Sequence, residues 1–265
     1  MNRMIRGVLL GAGLAVAAMF GSQPAAALTV ADIQAAGKIK IALSDTSPPY
    51  ATLNENMENA GLEVDMARML AEALGVELEI VIVTAASRVA CLLTECADLL
   101  IYGLTITPER AAQVWFSQPY AANAFGIVAA ADTDIAGIDD LVGKRVGVIR
   151  AAFGDPVLTE AAPEGTTIQR YEDMSGLLQA LLSGQVDAIA ENSLIPGVLN
   201  QMREGGNFET KLEFNVGYWG IAMREDQPNL LQWLNSWLLV IRTNGELERL
   251  HQEHMNIPMP YLPNF

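Results

Sequence analysis

The sequence predicts an α/β protein made of two similar units, each a mostly parallel sheet flanked by helices. Three observations carry that expectation. Between residues 38 and 101, apolar runs of strand length alternate with helical patterns in the order β-α-β-α-β, the signature of parallel strands wound with helices. From about residue 144 the alternation starts again. Finally, Leu92-Leu-Thr-Glu-Cys-Ala-Asp98-Leu-Leu-Ile101 is echoed by Leu181-Leu-Ser-Gly-Gln-Val-Asp187-Ala-Ile-Ala190 at a constant offset of 89. Both segments read as a helix, a turn and a buried strand. The echo makes Tyr102-Gly103 and Glu191-Asn192 equivalent strand ends. Open α/β sheets bind ligands beyond the carboxyl ends of their strands, so both ends are expected to face one cleft.

The elements follow in order. Ile39, Ile41 and Leu43 alternate with polar or small residues and predict the first strand. Ser44 to Tyr50 is turn-forming and ends in an aromatic, and residues 51–60 read as loop. Val64, Ala67, Leu70, Ala71 and Leu74 mark one face of a helix that stops at Gly75. Val76 to Val83 is a second strand, and Ser87 to Glu95 a short helix. In the second half, strands are expected at 144–149, 167–171 and 186–190, with a helix over 175–182 ended by Gly184. A helix then runs from after Ser193 to about Arg203, followed by a strand near 211–214 and a glycine-flanked stretch at 216–220. Leu230, Leu234, Trp237, Leu238 and Ile241 form the stripe of a long helix closed by Asn244-Gly245, and a last helix carries His251 and His254.

Residues 99–110, Leu-Leu-Ile-Tyr-Gly-Leu-Thr-Ile-Thr-Pro-Glu-Arg, carry the densest local signal. A buried strand arrives at Gly103, where the missing side chain suits a turn or a close approach. Thr107 reads as an N-cap with Pro108 at the first helical position. Arg110 then falls in the first turn, where the helix dipole disfavours a cation. Either it holds an anion that the helix end also favours, or it is a surface arginine in an ordinary capped turn.

At the N-terminus Arg3 and Arg6 precede an apolar run from Val8 to Phe20, and Pro24-Ala-Ala-Ala27 offers a small-residue cleavage site. Residues 1–27 are therefore expected to be a secretory signal peptide. Because no cysteine precedes Cys91, no lipid anchor is expected at the new terminus. Cleavage removes two arginines and no acid, moving the net charge from −15 to −17. So acidic a chain, without a basic cluster, argues against nucleic-acid binding. An apolar content of 51% argues against disorder.

These residues together resemble the periplasmic amino-acid-binding proteins of ABC importers, solute-binding family 3. The resemblance rests on Ser-Pro-Pro-Tyr at 47–50, Gly-Leu-Glu-Val-Asp-Met-Ala at 61–67 and Gly-Leu-Thr-Ile-Thr-Pro-Glu-Arg at 103–110. It also rests on Phe-Ser-Gln-Pro-Tyr at 116–120 and Leu-Val-Gly-Lys-Arg-Val-Gly-Val at 141–148. It implies a two-lobe periplasmic-binding-protein fold joined by two hinge strands. Residues 28–122 plus 218–265 would form lobe 1, and 123–217 lobe 2 with the hinge strands at its ends. It further implies a monomeric periplasmic receptor that captures a small carboxylate and delivers it to the membrane permease of an ABC importer, without a cofactor.

The resemblance also implies a site. Gly103, Thr105 and Arg110 would grip a ligand α-carboxylate. Tyr50 stands near the position of the aromatic that covers the ligand, where this chain has Ser47. Ala151-Ala152 replaces the Gly-Thr or Gly-Ser usual in lobe 2. The acid that pairs with the α-ammonium aligns with Asn192, next to Glu191. Strand alternation predicts that only one of these two points inward, and Asn192 is the one expected. Arg88 borders the pocket, as in binders of acidic amino acids. Two cations and a missing anion then favour a ligand with more than one carboxylate.

Cys91 and Cys96, five apart in an oxidising compartment, suit either a disulfide or two buried thiols. A bridge requires the helix to end near Thr94. His251 and His254 are read as a solvated helix face, and no metal site is expected. The competing functional readings are an enzyme on the same fold, similar to cyclohexadienyl dehydratase with Glu191 as acid, and a ligand-sensing accessory subunit.

Overall fold

A computed structural model describes residues 27–264, so the expected leader lies outside the described residues except for Ala27. The chain enters through α1 (Val30–Ala36), capped reciprocally by Thr29 and Asp32, and passes Gly37 into β1 (Lys38–Leu43). Ile39, Ile41 and Leu43 are fully buried. Residues 51–60 are not plain loop. β2 (Thr46–Ser47), β3 (Ala51–Leu53) and β4 (Asn59–Ala60) form a small antiparallel sheet. Such two- and three-residue ladders are too short to leave a period in the sequence.

α2 (Leu62–Leu74) buries the predicted stripe and stops at Gly75 in the left-handed region. β5 (Glu77–Ile82), α3 (Arg88–Leu93), β6 (Leu99–Leu100) and α4 (Pro108–Ala111) follow, and the Thr107 hydroxyl accepts from the Arg110 amide. β7 (Trp115–Ala130) then leaves lobe 1. Lobe 2 runs β8 (Arg145–Ile149), α5 (Gly154–Ala161), β9 (Thr167–Tyr171), α6 (Met174–Leu182), β10 (Ala188–Asn192) and α7 (Ile195–Met202). β11 (Phe208–Met223) returns, and α8 (Pro228–Thr243) and α9 (Glu246–Met255) complete the chain.

The large sheet has the order β5-β1-β6-β11-β7-β10-β8-β9. β1 is parallel to β5 and β6, and β8 is parallel to β9 and β10. Between these groups β7 and β11 pair with each other antiparallel over nearly their whole length. The strand expected near 211–214 and the glycine-flanked stretch at 216–220 are thus parts of one strand of 16 residues. Its register breaks between Glu213 and Val216 and again around Gly220, and glycines at 217 and 220 obscure the pattern in the sequence.

The sequence echo has a structural counterpart. Asp98 accepts from the Lys40 amide at 2.9 Å while its own amide donates to the Lys40 carbonyl. Asp187 does the same with Arg145, at 2.8 Å. Glu95 and Gly184, also 89 apart, both adopt left-handed φ, +62° and +72°, where each helix turns towards its strand.

The helix carrying Cys91 ends at Leu93, and the chain folds back so that Cys91 and Cys96 form a disulfide with Cα atoms 5.1 Å apart. So short a loop removes little entropy from the unfolded chain. Replacing both cysteines by serine is expected to lower the unfolding free energy by less than about 3 kcal/mol, read from urea titration. A larger loss, or full alkylation of unreduced protein under denaturing conditions, contradicts this.

Candidate functional site

Every strand of the parallel groups that reaches the centre ends at one cavity of about 70 Å³. A space of that size holds on the order of five waters, or a compact organic molecule. Lobe 1 contributes Ser47 and Tyr50 after β1, Glu63 from α2, Arg88 from α3, and Tyr102, Gly103 and Thr105 after β6. Lobe 2 contributes Ala152 to Gly154 after β8, Met174, and Glu191 with Asn192 at the end of β10. Asn123, Phe125, Gly217 and Trp219 come from the two crossing strands.

Arg88 is the first residue of α3 and is 4% exposed. Its Nη1 donates to the Tyr102 carbonyl at 2.7 Å, and the guanidinium lies 4.9 Å from the Tyr102 ring centre. Its Nε is buried without a partner, and among the described residues no carboxylate comes within 4.0 Å of it. A cation so placed is solvated mainly by carbonyl and ring, and burial lowers its pKa.

Arg110 is not among the lining residues. Its Nη1 donates to the Thr105 carbonyl at 2.9 Å, and its Nη2 reaches across the cleft to the Ala151 carbonyl at 3.4 Å. Burial and the nearby Arg88 charge bring its pKa down to about 10. Thr105 is buried and pairs with Trp219 as an isolated bridge. The Ala152 amide is taken by the Ile149 carbonyl and that of Ala151 by Asp155, so these lobe 2 donors serve the turn.

Glu191 and Asn192 both line the cavity, which corrects the expected alternation. Both are the last paired residues of β10, opposite Gly126 and Phe125 of β7, so the cavity lies at the strand end and takes its lining from both. The Asn192 amide oxygen accepts from the Tyr50 hydroxyl at 3.2 Å and the Leu194 amide at 3.1 Å, and its nitrogen donates to Glu191 at 3.4 Å. Tyr50 in turn accepts from Asn123 at 3.0 Å and sets its ring edge-on to Trp219 at 4.7 Å. The Tyr50–Asn192 bond joins the lobes directly. Burial raises the Glu191 carboxyl to about 7, partly offset by Asn192 and Arg88.

Sequence reasoning missed Glu63, which is fully buried. Its Oε1 accepts from the Gly103 amide at 2.7 Å and the Tyr120 hydroxyl at 2.6 Å, while Oε2 is buried without a partner. Gly103, with φ of +47°, aims its amide at this acid. Burial lifts Glu63 to about 7, moderated by those hydrogen bonds and Arg88. A signal was present. Glu63 lies four before Ala67 and seven before Leu70, on the helix stripe that faces the core. Asn123 and Trp219 left no such trace, because only the pairing of β7 with β11 brings them here.

Both acids bind protons more tightly folded than unfolded, where an ordinary glutamate titrates near 4.5. Folding stability is therefore expected to fall as pH rises from about 5 to 7.5, where the unfolded chain has already lost protons that the fold still holds. His251, whose pKa burial lowers, acts in the opposite sense, so the variant difference is the readout. Urea unfolding at the two pH values should show a smaller fall for the double variant Glu63→Gln, Glu191→Gln. An equal fall removes the assignment.

Residues 39–257 match the family described as bacterial extracellular solute-binding proteins, family 3. The chain is 29% identical over 224 residues to ABC transporter arginine-binding protein 1 of Escherichia coli K12, covering 83% of this chain and 91% of that one. A mutant of ArgBP from T. maritima superimposes with a TM-score of 0.80 at 29% identity, covering 87% of this chain and all of the other. An ancestral amino acid-binding protein, AncCDT-1, a precursor of cyclohexadienyl dehydratase, superimposes with a TM-score of 0.79 at 26% identity, covering 85% of this chain and 99% of that one. Sequence, fold and the position of the cleft agree, and the chain belongs to the bacterial extracellular solute-binding proteins, family 3.

Proposed function

We propose that this solute-binding protein works in the periplasm, encloses a zwitterionic α-amino acid between its lobes and presents it to the permease of an ABC importer. The observation that carries the ligand class is the pairing of opposite charges across the cavity. Arg88 of lobe 1 faces it from one side, and Glu191 of lobe 2 from the other. An ammonium enclosed with the ligand needs an anion, since an unpaired buried charge costs several kcal/mol. Glu191 supplies that anion one residue before Asn192. The expectation of a dicarboxylate rested on a missing anion, and two acids at the cavity weaken it. Lobe closure then buries the ligand, and the closed form is what a permease distinguishes.

A thermal-shift screen over amino acids, dicarboxylates and opines tests the class, because a ligand that binds only the native state raises the melting point. Amino acids are expected to give the shifts, and dicarboxylates without an ammonium none. Against the best amino acid, Glu191→Gln should cost on the order of 2–5 kcal/mol by isothermal titration. Unchanged affinity rules Glu191 out as the ammonium partner.

Arg110 already spends donors on two carbonyls, one in each lobe. Its removal is expected to weaken closure more than it removes a ligand contact, at about 1–3 kcal/mol of affinity. A loss well above this would return Arg110 to the carboxylate.

One observation favours a second reading. Glu191, lifted to about 7, is suited to donate a proton inside the cleft, and a solved relative of similar fold is named as a precursor of cyclohexadienyl dehydratase. Turnover of prephenate or arogenate by the purified protein would establish it.

A further inference from the structure

Glu63 calls for an explanation that packing does not supply. A glutamine there could accept the same bonds from Gly103 and Tyr120, and a methionine would fill much the same space. The chain instead buries a carboxyl completely and leaves one of its oxygens without a partner. An unmet buried acceptor is costly, and a buried acid costs more than an amide. The group also stands at a particular place. It holds the Gly103 amide, the strand-end donor that would otherwise meet a ligand carboxylate, and it lines the cavity together with Arg88 and Glu191.

The charges facing the cavity can then be counted. Arg88 is the one cation among the lining residues, against the two acids Glu63 and Glu191. A zwitterionic amino acid uses Arg88 for its carboxylate and Glu191 for its ammonium. A second carboxylate on the same ligand finds no further cation at the wall and lies in the field of Glu63 just behind it, while the Gly103 amide is already taken by that acid. A side-chain amide brings no second negative charge, so the same buried acid does not repel it.

We propose that Glu63 is a specificity-determining residue, whose charge behind the cavity wall rejects amino acids bearing a second carboxylate and tolerates their neutral amides. This rests on the reading of the cleft as an amino-acid site. It assigns selectivity to a side chain in the first turn of α2, behind the strand end.

Two near-isosteric pairs test it, L-glutamine against L-glutamate and L-asparagine against L-aspartate, each titrated calorimetrically into the full-length mature protein. The wild type is expected to bind at least one amide at least tenfold more tightly than its acid. Glu63→Gln should narrow that ratio by at least tenfold, with the acid gaining affinity, whereas Glu191→Gln should weaken both members of the pair. The wild-type ratio needs no variant to fold, and a preference for the acid overturns the proposal. So does a Glu63→Gln protein, folded by circular dichroism, whose ratio is unchanged, and so does failure to bind any of the four while other amino acids bind. Failure to bind any amino acid at all overturns instead the reading on which the proposal rests.

Discussion

The cleft depends on the antiparallel ladder between β7 and β11. These strands connect the parallel groups of the two lobes, and the other elements that line the cavity reach it from the lobe on either side of them. Where they pass between lobes they lie too close for ordinary side chains. A methyl group at Gly126 would collide with the Leu212 carbonyl, and one at Gly217 would come within 3.1 Å of the Thr105 side chain. The register shift between Glu213 and Val216 falls in the same region. Bulges and glycines bend a strand without breaking it. The same strands supply Asn123, Phe125, Gly217 and Trp219 to the wall, so the connection between the lobes is also part of the site.

That geometry sets the electrostatics. In an enclosed space, charges are screened less than at the surface, and each must be met by another charge or by oriented dipoles. Arg88 is met by the Tyr102 carbonyl and ring, Glu63 by an amide and a hydroxyl, and Glu191 by the Asn192 amide. None of the three has a charged partner within ion-pairing distance among the described residues. Both acids are accordingly lifted to about 7. A ligand that carries both signs meets Arg88 and Glu191 at once, which neither side chain achieves for the other across the cavity.

Much of the fold was legible because its causes are local. The N-cap at Thr107, the apolar stripe of α2 and the stop at Gly75 are written in neighbouring residues. The echo was legible for a deeper reason, since Asp98 and Asp187 each make the same pair of bonds to the first strand of their own lobe. What failed was whatever needed partners distant in sequence. Arg110 was placed correctly at the start of a helix, yet its carbonyl partner in lobe 2 lies 41 residues away. The continuity of β11 depends on β7 holding two glycines in an extended strand. Glu63 looked like one more acid in a helix first turn, where the dipole favours acids anyway.

The pair of residues at the end of β10 shows how these constraints interlock. An aspartate at 192 beside Glu191 would bring two carboxylates together at the wall, with Arg88 the only lining cation to offset them. An asparagine removes one charge, and it also contributes what an aspartate cannot, an N–H that donates to Glu191. Its oxygen meanwhile accepts from Tyr50 of the opposite lobe. A single amide thus holds the neighbouring acid in place and ties it to the meeting of the lobes. The asparagine at 192 and the acid at 191 therefore work as a pair, because the amide donates to the lone carboxylate at that strand end while adding no second charge to the wall.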